Sequence, residues 1–311
     1  PSAAWMRGLL AADAGDADSS QPYPFLLAHP LADDPETLGP VDQWQAEWKW
    51  DGIRAQLIRR AGQTYLWSRG EELISDRFPE LIDAARALPD GTVLDGEILP
   101  FRDNRVLPFA ELQRRIGRKQ LTRKLLAEVP VVLIAFDLLE LDGTDLRSQP
   151  YRVRLVALNN IVPSGGDCIC TAATTILTDT KKAMLEKLKS SKAEGVVFKR
   201  LDAIYTPGRP ASGGPALKLK FYETASFLVS LINEQRSVSL ALLRDEQPVP
   251  AGNVTIPPNH AVPTQGDIVE VRYLYAFPES GCVYQPVYLG RRDDIQRTDC
   301  TTGQLKFKAA A

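Results

Sequence analysis

The stretch AEWKWDGIR, residues 46–54, decides how the rest of the chain is read. Lys49 stands between Trp48 and Trp50, and Asp51, Gly52 and Arg54 follow at once. An amphipathic strand with one solvated lysine accounts for the triplet taken alone. The competing reading holds Lys49 at the mouth of a cleft because its amine does chemistry. Around it, apolar and polar residues roughly alternate from Gln45 to Arg59, and QTYLWSRG (63–70) follows a glycine turn. The pair reads as a hairpin, which places Lys49 at the start of a strand or in the loop before it.

Outward from this point, strand and helix patterns interleave. SDRFPELIDAARAL (75–88) brings Phe78, Leu81, Ile82, Ala85 and Leu88 onto one helical face. DGTVLDGEILPF (90–101) reads as a turn and a short strand, with Glu97 just beyond a glycine. PFAELQRRIG reads as a helix, and VPVVLIAFDLLELDG as an apolar run of strand length broken by Asp137. A lysine-rich helix is expected at 179–192, and a strand at EGVVFKR (194–200). TPGRPASGGPALKLK (206–220) starts as a loop and ends on a strand with Lys218 and Lys220 on one face. Beyond Tyr222 the pattern changes to short strands such as ASFLVSLI, SVSLALL and DIVEVRYLYAF, with a Pro/Gly-rich excursion at 248–266. That is the pattern of a small all-β barrel, with the domain boundary near residue 221. No GxGxxG or P-loop pattern and no internal repeat is present, so a Rossmann domain or P-loop ATPase is unsupported.

At 311 residues, 44% of them hydrophobic, the chain is long enough for two cored domains. A formal net charge of -2 argues against a broad basic coat, but the charge is uneven. Residues 1–47 hold one basic and eight acidic residues, which leaves +5 on the remainder. Two local runs are strongly basic, RRIGRKQLTRK (114–124) and KKAMLEKLKSSK (181–192). Either is a solvated helix face unless the protein needs a polyanion. Cys168, Cys170, Cys282 and Cys300 form no CxxC pair and read as reduced, intracellular and inert. There is no membrane-length apolar stretch and no signal peptide. WMRGLL running into AADAGDADSS reads as the end of a helix and a flexible linker, as if a domain preceded residue 1.

Charged residues recur where apolar strands end: Lys49, Asp51 and Arg54; Arg69; Asp95 and Glu97; Asp137; Glu194 and Lys199; Lys218 and Lys220. Converging on a cleft, the cations suit phosphate oxygens and the carboxylates suit a hard divalent cation such as Mg²⁺. Phe136, at the end of a buried strand, is placed to stack on a base. A lysine amine crowded by other cations and partly desolvated becomes a nucleophile, and its attack on a polarised phosphorus gives a phosphoramidate. His29 and His260 lie in Pro-rich segments and make poor general bases.

Six motifs in order, KWDGIR (49–54), SRGEE (68–72), LDGEIL (94–99), AFDLLELDG (135–143), EGVVFK (194–199) and LKLK (217–220), carry a resemblance. The chain resembles the bacterial ATP-dependent DNA ligases of the covalent nucleotidyltransferase superfamily, which also holds RNA ligases and mRNA capping enzymes. The resemblance implies an α+β fold: a nucleotidyltransferase (adenylation) domain at 25–221 and a C-terminal OB-fold β-barrel at 222–311. Residues 1–24 would then be the end of an upstream helical DNA-binding domain and a linker, and PYPFLLAHPL is similar to the lead-in of bacterial ligases that carry one. It further implies that Lys49 takes the AMP of ATP, with Glu47 near the adenine and Phe136 stacked on it. Asp51 would orient the nucleophile's loop. Arg54, Arg69 and Glu97 match positions holding the ribose and the incoming 5′-phosphate. Glu97 and Glu194 match those serving Mg²⁺ (or Mn²⁺). Lys218 and Lys220 match phosphate ligands, and Lys199 completes the nucleotide site. YLGRRDDI (288–295) lies where the final motif falls, so Arg292 and Asp294 take its role, with Ile295 where the family has lysine. The expected partner is nicked double-stranded DNA, sealed by a monomer in the bacterial cytoplasm at the nucleoid, with no membrane involved. RNA ligation or capping-type guanylyl transfer is the alternative of like chemistry. A non-catalytic nucleic-acid-binding module is the alternative of another class, disfavoured by Lys49, Glu97, Glu194 and Lys218.

Overall fold

The computed structural model describes residues 19–31, 35–103, 105–107, 109–116, 118, 121–163, 168–171, 195–208, 210 and 213–308. The lysine-rich segment 179–192 and Glu194 lie outside the described residues. The chain divides into two compact units, one through Leu219 and one from Lys220.

In the first unit, β1 (His29–Pro30) and β2 (Trp44–Trp48) belong to a small sheet. Seven strands then build a second sheet: β3 (Ile53–Arg60), β4 (Gln63–Ser68), β5 (Thr92–Arg102), β6 (Arg105–Val106), β7 (Val131–Leu141), β8 (Thr144–Asp145) and β9 (Ile169–Thr171). The chain returns to the small sheet with β10 (Gly195–Arg200) and β11 (Ala216–Lys220). The strand orders are β1-β11-β10-β2 and β4-β3-β5-β7-β8, with β6 paired to β5 and β9 to β7. The expected hairpin is β3–β4. Gln45 to Trp48 belong instead to the other sheet, where β2 pairs with β10. Lys49 therefore lies in the loop that crosses from one sheet to the other.

Helices α1 (Pro79–Ala84), α2 (Phe109–Ile116), α3 (Arg123–Glu128) and α4 (Tyr151–Ile161) complete the unit. The periodic run at 75–88 forms α1 flanked by two 3₁₀ turns rather than one long helix. Its Phe78, Leu81, Ala85 and Leu88 enter a core with Leu57, Leu94, Leu133, Leu155 and Leu158. Helix α4, which packs on β7, was not evident in the sequence pattern.

The second unit is built on β12 (Glu223–Asn233), β13 (Ser237–Arg244), β14 (Gln247–Thr255), β15 (Ile268–Tyr273), β16 (Tyr275–Ala276), β17 (Val283–Tyr284) and β18 (Val287–Arg292). Five strands form an antiparallel sheet in the order β14-β13-β12-β15-β18, and β16 pairs with β17. Among the described residues this path is open; no ladder joins β14 to β18 into a closed barrel. The expected Pro/Gly excursion begins instead as a strand. Pro248 and Pro250 lack backbone donors, and β14 tolerates them because it lies at the sheet edge, with a bulge opposite Leu240 and Ala241.

Candidate active site

The loop that holds Lys49 is fixed at both ends. Lys49 N–H donates to the Gly195 carbonyl at 2.9 Å, tying the loop to the start of β10. On the other side, Gly52 presses on β5. A Cβ there would stand 2.3 Å from the Ile98 carbonyl oxygen and 2.6 Å from Leu99 Cδ2. Only glycine fits, which explains the G of KWDG as a packing requirement. Gly96 of LDGE is similarly excluded from bearing a side chain by the Ile134 carbonyl, 2.7 Å from its built Cβ. Trp48 and Trp50 stack with centroids 5.2 Å apart, and Trp50 also packs on Leu99, Val132 and Ile134. The tryptophans thus anchor the loop flanks and leave Lys49 between them.

Glu97 lies beside this loop, opposite Arg54 in the β3–β5 ladder. Burial pushes its carboxyl up to about 7, against the nearby Arg54 and Lys49 charges and a hydrogen bond from the Gly52 N–H. The Asp95 charge adds to the rise. Glu97 is therefore a desolvated carboxyl within electrostatic reach of both Lys49 and Arg54.

Arg54 is gripped by Asp95: Nε donates to Oδ1 at 3.0 Å and Nη2 to Oδ2 at 2.8 Å. Asp95 is fully buried and also accepts from the Tyr205 hydroxyl at 2.7 Å. Burial works against the Arg54 charge, and the Asp95 carboxylate outweighs it, so the guanidinium pKa is raised. Arg69 joins this corner through its backbone, its N–H donating to the Arg54 carbonyl at 2.9 Å.

A second group surrounds Phe136. Glu47 is buried and accepts from the Tyr151 hydroxyl and from Lys199 Nζ, the latter at 2.8 Å. Lys199 Nζ stands 4.0 Å from the Phe136 ring centroid and donates to the Phe136 carbonyl at 3.3 Å. The Arg54 guanidinium lies 5.4 Å from the same ring, so Phe136 links the two groups. An open recess is lined by residues of both, among them Arg54, Asp95, Phe136, Tyr151, Lys199 and Tyr205.

The structure thus brings together Glu47, Arg54, Phe136 and Lys199, with Glu97 opposite Arg54 and within electrostatic reach of Lys49. Asp51 lies in the same loop as Lys49, half-buried. Lys218 follows on β11, the neighbour of β10, and Lys220 begins the second unit. In that unit Arg292 is fixed by Asp294, at 2.6 Å from Nε and from Nη2, and by Glu270 at 3.1 Å.

Two sequence expectations change. Asp137 does not join the cleft charges as a free carboxylate: Arg154 of α4 holds it through bonds of 2.8 and 3.0 Å, and both are buried. In the basic run at 114–124, Arg115 is fully buried and bonded to Glu80 and to the carbonyls of Arg77 and Val129. Arg114 pairs with Glu111 and Glu128. The Arg115 charge serves the fold, and the Arg114 charge is paired on the surface. Tyr151, Arg154 and Tyr205 are the site-lining residues that sequence reasoning missed.

Among the described residues no three His, Cys, Asp or Glu side chains cluster to hold a metal. Mg²⁺ commonly uses one or two carboxylates together with substrate phosphates and water. Glu97, beside the phosphate-seeking Arg54 and Lys49, fits that pattern. No helix among the described residues is long and apolar enough to cross a membrane.

A lysine between two sheets, a buried carboxyl and an arginine beside it, and an aromatic flanked by cations define an adenylation-type nucleotidyltransferase fold. A family model for the ATP dependent DNA ligase domain matches residues 25–220, and the chain belongs to that family. It is 34% identical over 239 residues to a probable DNA ligase of Streptomyces avermitilis, covering 72% of this chain and 45% of that protein. With a probable DNA ligase of Opitutus terrae it shares 47% identity over 120 residues, 38% of this chain and 12% of that one. The chain therefore spans less than half the length of these curated relatives. The ligase domain of M. tuberculosis LigD superposes with a TM-score of 0.52 at 24% identity, covering 88% of this chain and 97% of that one. A Lig E DNA ligase structure gives 0.60 at 18% identity, covering 86% and 100%. At these identities the likeness is one of fold.

Proposed function

We propose that this chain seals nicks in duplex DNA with ATP through a covalent lysyl-AMP. The observation that carries this is the loop clamped between Gly195 and β5, which brings Lys49 within electrostatic reach of Glu97, itself opposite Arg54. Lys49 Nζ attacks the α-phosphorus of ATP, forming the N–P bond as the bond to pyrophosphate breaks. The 5′-phosphate of the nick then displaces the lysine to give DNA-adenylate. Attack by the 3′-hydroxyl forms the phosphodiester and releases AMP.

Arg54 holds the ribose and phosphate side of the nucleotide, with Arg69, Lys218 and Lys220 as further phosphate ligands. Phe136 stacks on the adenine, and Glu47 sets the rim of the base site through Lys199. Asp51 orients the loop. Glu97, together with Glu194, would hold Mg²⁺ or Mn²⁺, which neutralises charge on the phosphates when bound. Arg292 and Asp294 orient the leaving pyrophosphate. The C-terminal unit, with its five-stranded antiparallel sheet, serves as an OB-type module that contacts DNA, with the domain boundary near 221. The proposed form is a monomer in the bacterial cytoplasm at the nucleoid, in keeping with the bacterial sources of its relatives.

Nicked duplexes of all-DNA or with RNA on the 3′ or 5′ side, offered with ATP or GTP, test this. Sealing of the DNA nick with ATP is expected. Transfer from GTP, or sealing confined to RNA, would replace it with a capping-type or RNA-ligase function.

A further inference from the structure

A closed ring of hydrogen bonds joins the Arg54 corner to the entry segment before it. The Leu26 N–H donates to the Tyr205 hydroxyl oxygen at 3.0 Å, and that hydroxyl donates to Asp95 Oδ2 at 2.7 Å. Arg54 Nη2 donates to the same Oδ2 at 2.8 Å, and Arg54 Nη1 donates to the Leu26 carbonyl at 2.6 Å. The ring begins and ends on the backbone of one residue. Leu26 is itself fixed by its neighbours, since Gly208 N–H donates to the Phe25 carbonyl at 2.9 Å and Leu27 N–H to the Gly208 carbonyl at 2.8 Å.

A guanidinium carries five N–H donors. Asp95 takes two and Leu26 a third, which leaves one N–H on each terminal nitrogen of Arg54. Two aromatic rings also lie close, with the Phe25 and Phe136 centroids each 5.4 Å from the guanidinium carbon. Asp95 alone would leave the long side chain free to pivot about one carboxylate. The Leu26 carbonyl removes that freedom, and Tyr205 fixes both Asp95 and Leu26. Burial, reinforced by the Asp95 charge, holds the Tyr205 phenol well above its ordinary range, so it remains a donor.

We propose that Tyr205 and the entry residues Phe25 and Leu26 are positioning residues for Arg54, aiming its two remaining N–H donors at the nucleotide. This rests on the lysine-adenylation function above. The entry segment is then part of the active site, rather than only the lead into the domain. Misplacing a substrate-holding group by about 1 Å costs up to about a hundredfold in rate, without removing any group that touches substrate.

The test is single-turnover adenylation of the full chain by ATP, read as covalent adduct against time over a range of ATP concentrations. Tyr205→Phe keeps the ring and removes the hydroxyl, and it should lower the maximal rate about tenfold to a hundredfold. Combined with Arg54→Lys it should add little further loss, because both changes disable the same group. Phe25→Leu should cost a few-fold, in line with a cation–π contact. Thermal melting shows whether each variant is folded at the assay temperature; if Tyr205→Phe is not, Phe25→Leu decides. A wild-type rate in the folded variants overturns the proposal. So does full additivity of Tyr205→Phe with Arg54→Lys, which would make the tyrosine scaffold only. A wild-type chain that forms no adduct removes the adenylation function itself, and the positioning role with it.

Discussion

Arg54 and Arg154 each grip an aspartate through two parallel hydrogen bonds, and their aspartates, Asp95 and Asp137, face each other across the β5–β7 ladder. Chemically the pairs are alike. They differ in what is left over. The Arg154 side chain is 2% exposed and spends its remaining Nη1 capacity on the Gln149 and Ala203 carbonyls. The Arg54 side chain is 19% exposed and keeps two N–H groups unspent by Asp95 and Leu26. One sealed pair locks α4 to the sheet, and one part-open pair keeps donors for the proposed ligand. The motif residue type does not distinguish them; the number of satisfied donors does.

Arg54→Lys should give the largest effect. Lysine keeps a charge near Asp95 but loses the forked geometry, so the adenylation rate should fall about 10²–10³-fold with a melting midpoint close to wild type. Arg154→Met should do the reverse. It leaves Asp137 buried without its partner and should cost about 3–5 kcal/mol of stability in urea unfolding. Adenylation per folded molecule should fall much less than in Arg54→Lys, although Arg154 also borders the recess. If both variants lose stability and activity in the same proportion, the distinction between the two pairs fails.

Glu97 sharpens the comparison, since it lies two residues along the same strand from Asp95. A carboxyl raised to about 7 in the fold, from about 4.3 in an unfolded chain, binds its proton more tightly when folded. Its contribution to stability is fully present below about pH 4 and is lost as pH rises through about 7. Urea midpoints without Mg²⁺ or nucleotide should therefore show wild type losing stability relative to Glu97→Gln between pH 5 and pH 8. Parallel curves would place Glu97 in ordinary solvated surroundings. The smallest effect is expected at Arg114, whose ion pairs with Glu111 and Glu128 are exposed. Arg114→Ala should leave the unfolding midpoint close to wild type, checked by the same assay.

Much of the site was legible because its signals are local. KWDG and LDGE each carry a glycine that the neighbouring strand leaves no room to replace, so the spacing reports a real contact. The β3–β4 hairpin and the strands at 131–141 and 195–200 follow from alternation and apolar runs. What stayed hidden depends on distant partners. Tyr151 meets Glu47 from 104 residues away, and Tyr205 meets Asp95 from 110. Nothing in YRVRLVALNN announces that its tyrosine and one arginine turn inward while Val153 and Val156 face out. The basic run at 114–124 misled for the same reason: Arg115 finds Glu80, 35 residues upstream, and becomes a core residue. Gln45 to Trp48 alternate like the strand after them, yet belong to another sheet, because pairing with β10 is a long-range event.

The most direct measurement is peptide mapping by mass spectrometry after incubation with ATP and Mg²⁺, on the wild-type chain and on Lys49→Ala. One AMP on Lys49 in the wild type and no adduct in the variant is the expected result. An adduct on another residue, or one undiminished in Lys49→Ala, would contradict the assignment of Lys49 as the nucleophile.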